Sequence, residues 1–102
     1  MTHEPKLTWT VELRDAEGHV IDRLVPAAPG LPMPSYEDMS FPYLRLVDPY
    51  GDTVFSGYQM SAVIPELQRL ARAAPSPNLD RLLELAQMCD SGVHVFLVFI
   101  GD

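Results

Sequence analysis

"VHVFLVFI", residues 93–100, decides the fold. In extended chain His94, Phe96, Val98 and Ile100 point to one side, and Val93, Val95, Leu97 and Phe99 to the other. Both sides are apolar except at His94, so this strand belongs near the middle of a sheet or beneath further chain. "LTWTVEL", 7–13, differs: Leu7, Trp9, Val11 and Leu13 share one face, while Thr8, Thr10 and Glu12 share the other, the pattern of a half-buried strand. "RDAEGHV" then reads as a hairpin connection in which Gly18 supplies a positive φ, and 19–25 returns as a second strand. "YLRLV", 43–47, predicts a third strand with Leu44 and Leu46 inward, and "TVF", 53–55, a short fourth after the turn "DPYGD".

Two helices separate these strands from the last. From about Ser61 to Ala74, the residues Val63, Leu67, Leu70, Ala71 and Ala74 keep one face apolar, with Glu66, Arg69 and Arg72 opposite. Pro65 is expected in the first turn, where most amides lack a helical partner. Ser76-Pro77 reads as a cap followed by proline at the first helical position. Leu79, Leu82, Leu83, Ala86 and Cys89 form the second buried stripe, ended at Ser91-Gly92 by a left-handed glycine. The order β-β-β-β-α-α-β predicts an α+β fold: a small antiparallel or mixed sheet with two helices on one face.

Residues 26–42 hold Pro26, Pro29, Pro32, Pro34 and Pro42, which exclude a regular helix or central strand. "SYEDM", 35–39, fits one turn capped by Ser35. Two helices cover one sheet face, so this proline-rich segment is expected to lie ordered over the other, with Leu31, Met33 and Phe41 inward; failing that, a second copy of the chain covers it.

At 102 residues the chain is expected to form one domain, 1–102, with a single core. One cysteine, Cys89, allows no internal disulfide, and "MTHEPKLTW" lacks the basic start and apolar stretch of a signal peptide. A cytoplasmic protein is expected. The formal net charge is −7, with one lysine and six scattered arginines. That field opposes nucleic acid and anionic membranes and attracts a basic partner.

Residue types that could carry chemistry do not assemble into a motif. Asp48 and Asp52 flank Pro49-Tyr50-Gly51, a turn grammar, and the further oxygen ligands of a calcium loop are missing. The stretch 48–60 is therefore expected to be a hairpin turn entering the first helix, without metal. Cys89 sits at a helix C-terminus, where the dipole opposes a thiolate. His3, His19 and His94 have no zinc spacing, and no phosphate-cradling glycine loop is present. No catalytic residue and no cofactor are predicted.

What stands out is a concentration of aromatics. Tyr36, Phe41, Tyr43, Tyr50, Phe55 and Tyr58 fall within 23 residues, interleaved with Met33, Met39, Met60 and with Glu37, Asp38, Asp48 and Asp52. Such rings seal a sheet face or anchor a partner. Tyr50-Gly51-Asp52-Thr53-Val54-Phe55, together with Phe99-Ile100-Gly101-Asp102, resembles a family of small uncharacterised bacterial proteins, so the resemblance implies no catalytic residue. In size and acidity the chain is similar, as a class only, to immunity proteins, which neutralise a toxin by covering it. The expected function is a non-enzymatic acidic binding protein, an immunity-type inhibitor occluding a basic toxin through Tyr36, Glu37, Asp38, Asp48, Tyr50, Asp52 and Tyr58. The alternative is a self-associating structural or regulatory domain, a homodimer.

Overall fold

A strand apolar on both sides is expected in the interior of a sheet, and the last strand has a neighbour at each edge. The structure, a computed structural model, describes residues 9–101. Leu7 and Thr8 of the expected first strand, His3 and Asp102 lie outside those residues. Strands β1 (Thr10–Arg14), β2 (Val20–Leu24), β3 (Asp52–Ser56) and β4 (Phe96–Ile100) form one antiparallel sheet in the order β2-β1-β4-β3. Helices α1 (Met60–Ala73) and α2 (Pro77–Ser91) cover one face of it. The chain is thus a small α+β fold with four strands and two helices.

The register explains the two faces. Val11 pairs with Leu24 and Phe99, Leu13 with Leu97, and Phe55 with Leu97, so these side chains share the inner face. They pack with Met60, Val63, Leu67 and Leu70 of α1 and Leu79, Leu82, Leu85, Ala86 and Cys89 of α2 into one buried cluster. Phe55 meets Phe99 edge-on at 5.8 Å and 88°. Glu12, Arg23, Val98 and Val54 lie across the outer face. There the buried Glu12 carboxylate accepts from Arg14 (2.6 Å) and Arg23 (2.7 Å).

Several local expectations change. Residues 43–47 do not form a strand. Leu44–Leu46 is a 3-10 turn, because Leu44 and Val47, three apart, are the buried pair while Leu46 faces solvent. The stretch 48–60 is accordingly no hairpin: Asp48 turns the chain into β3, whose partner is β4. Strand β4 starts at Phe96, because His94 takes φ 54° and interrupts the extended run. Gly92 is not the left-handed residue expected there but leaves α2 extended, at φ −87° and ψ 158°. Gly18 does supply a positive φ, 85°. Helix α1 begins at Met60, so Pro65 sits beyond its first turn and removes one helical hydrogen bond on a solvent-facing side. In α2, Ser76 caps Asn78 N–H at 3.2 Å, as its spacing predicts, and Leu85 joins the buried stripe with Leu83 at its margin.

Two residues placed opposite α1's apolar stripe, Glu66 and Arg69, grip the proline-rich segment. Glu66 is 3% exposed, and its carboxylate accepts from the N–H groups of Tyr43 (3.2 Å) and Leu44 (3.0 Å). Arg69 donates to the Ser40 carbonyl at 2.6 Å and lies over the Phe41 ring. Asn78 donates to the carbonyls of Ala27 and Gly30. Leu31, Met33 and Phe41 do point inward, but into the helix-side core rather than across the opposite sheet face. Polar side chains on both helices offer partners to the segment's unpaired backbone groups, which fixes it on their side. Among the described residues no helix covers the outer face, where Ile21 and Val54 are 51% and 55% exposed.

Two ion-paired carboxylates should give the fold an acid limb. Arg14's hydrogen bond, reinforced by Arg23, holds the Glu12 carboxyl below the usual range against the opposing effect of burial. Arg81 from α2 does the same to Asp22 on β2, at 2.7 Å. A carboxyl with a lowered folded pKa stabilises above its ordinary value and loses that contribution as pH falls through the folded one. Urea melts should therefore show constant stability from neutrality to about pH 5 and a decline below about pH 4, the ordinary carboxyl range. Glu12→Gln should flatten part of that decline; an unchanged slope would remove Glu12 from the account.

Candidate interaction site

Ser56 and Gln59 build the corner between β3 and α1. The Gln59 side-chain oxygen accepts from the Ser56 N–H at 2.8 Å, and Gly57–Gln59 closes as a 3-10 turn. Gly57 passes close to the last turn of α2: a Cβ there would stand 3.2 Å from the Cys89 carbonyl oxygen. The corner therefore fixes Tyr58 beside the C-terminus of α2 and throws its ring outward, 97% exposed. The loop from α2 to β4 supplies the facing wall. Its tight course, through left-handed His94, leaves Val93 81% exposed. Histidine adopts that region more readily than most side chains, yet such backbone is sparsely populated and concentrates where function requires it.

Between these walls lies a pocket of about 430 Å³. Ser56, Gly57, Tyr58 and Phe96 line one side, and Asp90, Gly92, Val93, His94 and Val95 the other. Its electrostatics are one-sided. Backbone carbonyls at a helix C-terminus carry partial negative charge, which Lys or Arg in the last turn usually offsets. The last turn of α2 has no basic residue and carries Asp90 instead. The residues lining the pocket include Asp90 and neither lysine nor arginine.

Five of the six arginines are engaged elsewhere. Arg14 and Arg23 bind Glu12, Arg45 donates to the Tyr36 carbonyl, Arg69 to that of Ser40, and Arg81 binds Asp22 and Glu84.

The seven residues singled out in the sequence fall into three places. Tyr36, Glu37 and Asp38 lie on the proline-rich segment: Tyr36 is exposed with the Arg45 guanidinium 4.3 Å from its ring centre, Glu37 is exposed, and Asp38 accepts from the Ser40 N–H and hydroxyl. Asp48, Tyr50 and Asp52 cluster at the start of β3. Asp48 accepts from Tyr50 N–H at 2.8 Å, its own N–H donates to Thr53 Oγ1, and its carbonyl accepts from Trp9 Nε1. Tyr50 and Asp52 are exposed. Tyr58 stands beyond the other end of the same strand, which at about 3.3 Å per residue is more than 13 Å away. Tyr58 alone of the seven lines the pocket. Asp90, Val93, His94 and Phe96 were not selected. A legible signal was available for Asp90, an acid in a helix turn that favours bases.

Cys89 and His94 do not form a couple. The Cys89 sulfur is buried against the Val95 carbonyl at 3.5 Å, and burial, with Asp90 adding to it, pushes the thiol up to about 11. His94 is exposed on the rim. Cys89 should react with thiol reagents only at the rate of global opening, and Cys89→Ala should cost on the order of 1 kcal/mol of lost packing. Rapid labelling of the native protein at neutral pH would contradict its burial. Asp15, Glu17 and His19 bring ligand atoms within 4.8 Å of one another, but Asp15 already accepts from the N–H groups of Glu17 and His19 in an exposed turn.

No helix of the described residues is long and apolar enough to cross a membrane. Comparison with known proteins finds no family model, curated protein or solved structure that matches the chain.

Proposed function

We propose that the chain is a non-enzymatic binding protein that seats a basic protein against the end of its sheet marked by Tyr58, Val93 and Phe96. An immunity-type inhibitor, occluding the cationic cleft of a toxin, is the form of this reading that the acidity and small size favour. The observation that carries it is Tyr58 itself: a tyrosine held 97% exposed by a tight corner, beside an acid and a second exposed apolar side chain. Aromatic side chains that become buried at the centre of an interface supply most of its energy. The net charge of −7 supplies long-range attraction for a cationic surface and speeds encounter.

Photo-cross-linking tests the reading. A benzophenone side chain placed at position 58 should yield one discrete adduct with a basic protein in the native host, and the same label at Tyr50 should yield none. Adducts from position 50 alone, or with an acidic protein, would overturn it. A second reading, self-association through the outer sheet face, draws support from the exposure of Ile21 and Val54. Sedimentation at about 100 μM decides it, since a strictly monomeric protein there leaves no useful homodimer.

A further inference from the structure

We infer that the pocket between Tyr58 and the end of α2 is a receptor for a single arginine side chain of the basic partner. This rests on the reading just proposed and specifies its anchor. Three features converge on a guanidinium. The first is the cavity, about 430 Å³, whose lining includes two aromatic residues, Tyr58 and Phe96, and two apolar ones, Val93 and Val95. A planar, weakly hydrated cation stacks on aromatic faces, and its aliphatic stem fits apolar walls.

The second is the negative charge at the pocket's helical wall. Helix α2 has fifteen residues, ends in extended Gly92, and has no basic residue in its last turn. The Ser91 hydroxyl already donates to the Gln87 and Met88 carbonyls, so the acceptors left for a forked donor are the later carbonyls of the turn and the carboxylate of Asp90, a lining residue. Asp90 is unfavourable for the helix itself, because an acid in the last turn opposes the macrodipole. An incoming cation relieves that opposition, which gives the residue a role that helix stability does not.

The third is accessibility. Tyr58 and Val93, 97% and 81% exposed, are side chains that the described residues leave open to solvent. The structure assigns them the role of gripping the stem of the inserted side chain while Asp90 meets its head. A lysine could enter, but its compact, strongly hydrated ammonium gains less from the rings and cannot fork.

Capped Gly-Arg-Gly, with citrulline and lysine in place of arginine as separate probes, tests this on the isolated protein by amide chemical-shift titration. The expected result is saturable binding of the arginine peptide, in the millimolar range, with shifts confined to Tyr58, Val93, His94 and the last turn of α2. The neutral citrulline peptide should bind about tenfold or more weakly, since the charge-assisted contacts are lost. Tyr58→Ala should weaken the arginine peptide by about twofold to fivefold, the scale of one exposed ring–cation contact. Asp90→Asn should weaken it similarly while leaving the melting temperature equal or higher. Equal binding of citrulline and arginine, or shifts spread over all acidic surfaces without saturation, would overturn the inference. So would Asp90→Asn lowering the melting temperature without changing affinity. Failure of the peptide alongside a basic adduct at position 58 removes the arginine pocket and leaves the binding reading standing; the converse result removes the protein partner.

Discussion

Glu66→Ala should cost the fold about 2 to 5 kcal/mol, because it strands two backbone donors that no water reaches easily. The Glu66 carboxylate, 3% exposed, takes the N–H of Leu44 at 3.0 Å and of Tyr43 at 3.2 Å. Those amides open the 3-10 turn Leu44–Leu46, which lacks a side-chain cap of its own. Each unsatisfied buried N–H costs about 1–3 kcal/mol, and a bond to a charged acceptor is worth more than a neutral one. Glu66→Gln keeps an acceptor oxygen in place and should cost only about a third as much, since one neutral carbonyl can still serve both donors. Urea unfolding of the two variants, with hydrogen exchange at Leu44, separates the cases. If alanine and glutamine are equally mild, Glu66 does not hold the segment, and the description of how 40–47 is anchored is wrong.

Phe99→Ala should be more damaging still, about 3–5 kcal/mol, as for other large aromatics deleted from a closed core. Phe99 is fully buried at the centre of the sheet, opposite Val11 on β1 and Thr53 on β3, with Phe55 against its edge. Phe96 lies on the same strand three residues earlier and on the other face, where it lines the pocket. Phe96→Ala should therefore cost clearly less, about 1–2 kcal/mol, for loss of a partly covered ring. Equal costs would mean that the Phe96 ring is enclosed as fully as that of Phe99, contrary to its partial exposure. Inversion of the order would mean that the strand is turned over, because a slip of one residue exchanges the faces.

Much of this architecture was legible, and its gaps have physical causes. The inward side of β1 followed from alternation at Trp9, Val11 and Leu13. The interior position of β4 followed from the apolarity of both its sides. Ser76-Pro77 gave the start of α2 because a cap and a fixed φ are local properties. "YLRLV" could not be read locally: its apolar residues satisfy a spacing of two and of three, and the choice was made by Glu66 on a helix twenty residues away. Glu66 itself looked like a solvent-facing residue, since helical periodicity knows nothing of the backbone donors packed beside it. The proline-rich segment was rightly given inward Leu31 and Phe41, but its side of the sheet depended on Asn78 and Arg69, which no pattern in the segment encodes.

The same division runs through the site. Tyr58 was legible as a tyrosine among turn residues, but its grouping with Tyr36 and Tyr50 was a matter of sequence distance. The sheet places Tyr50 and Tyr58 at opposite ends of β3, and Tyr36 is occupied by Arg45. What joins Tyr58 to Asp90 and Val93 is the close passage of Gly57 across the end of α2, a contact between residues more than thirty apart. Asp48 and Asp38 carry acidic charge, yet both spend their oxygens on nearby N–H groups and so serve the turns first.

The affinity of the basic protein captured at position 58, measured by calorimetry for Tyr58→Ala, Tyr36→Ala and Tyr50→Ala, bears most directly on the claim that this end of the sheet is the binding surface. Truncating an anchoring aromatic typically removes about 2–4 kcal/mol, so Tyr58→Ala should weaken binding by roughly thirtyfold to a thousandfold. Tyr36→Ala and Tyr50→Ala should each change it by less than about fivefold, the range of peripheral contacts. All three proteins should unfold at the wild-type urea concentration. A large loss from Tyr36 or Tyr50 with Tyr58→Ala unaffected would move the surface to the proline-rich segment or the start of β3 and contradict the account.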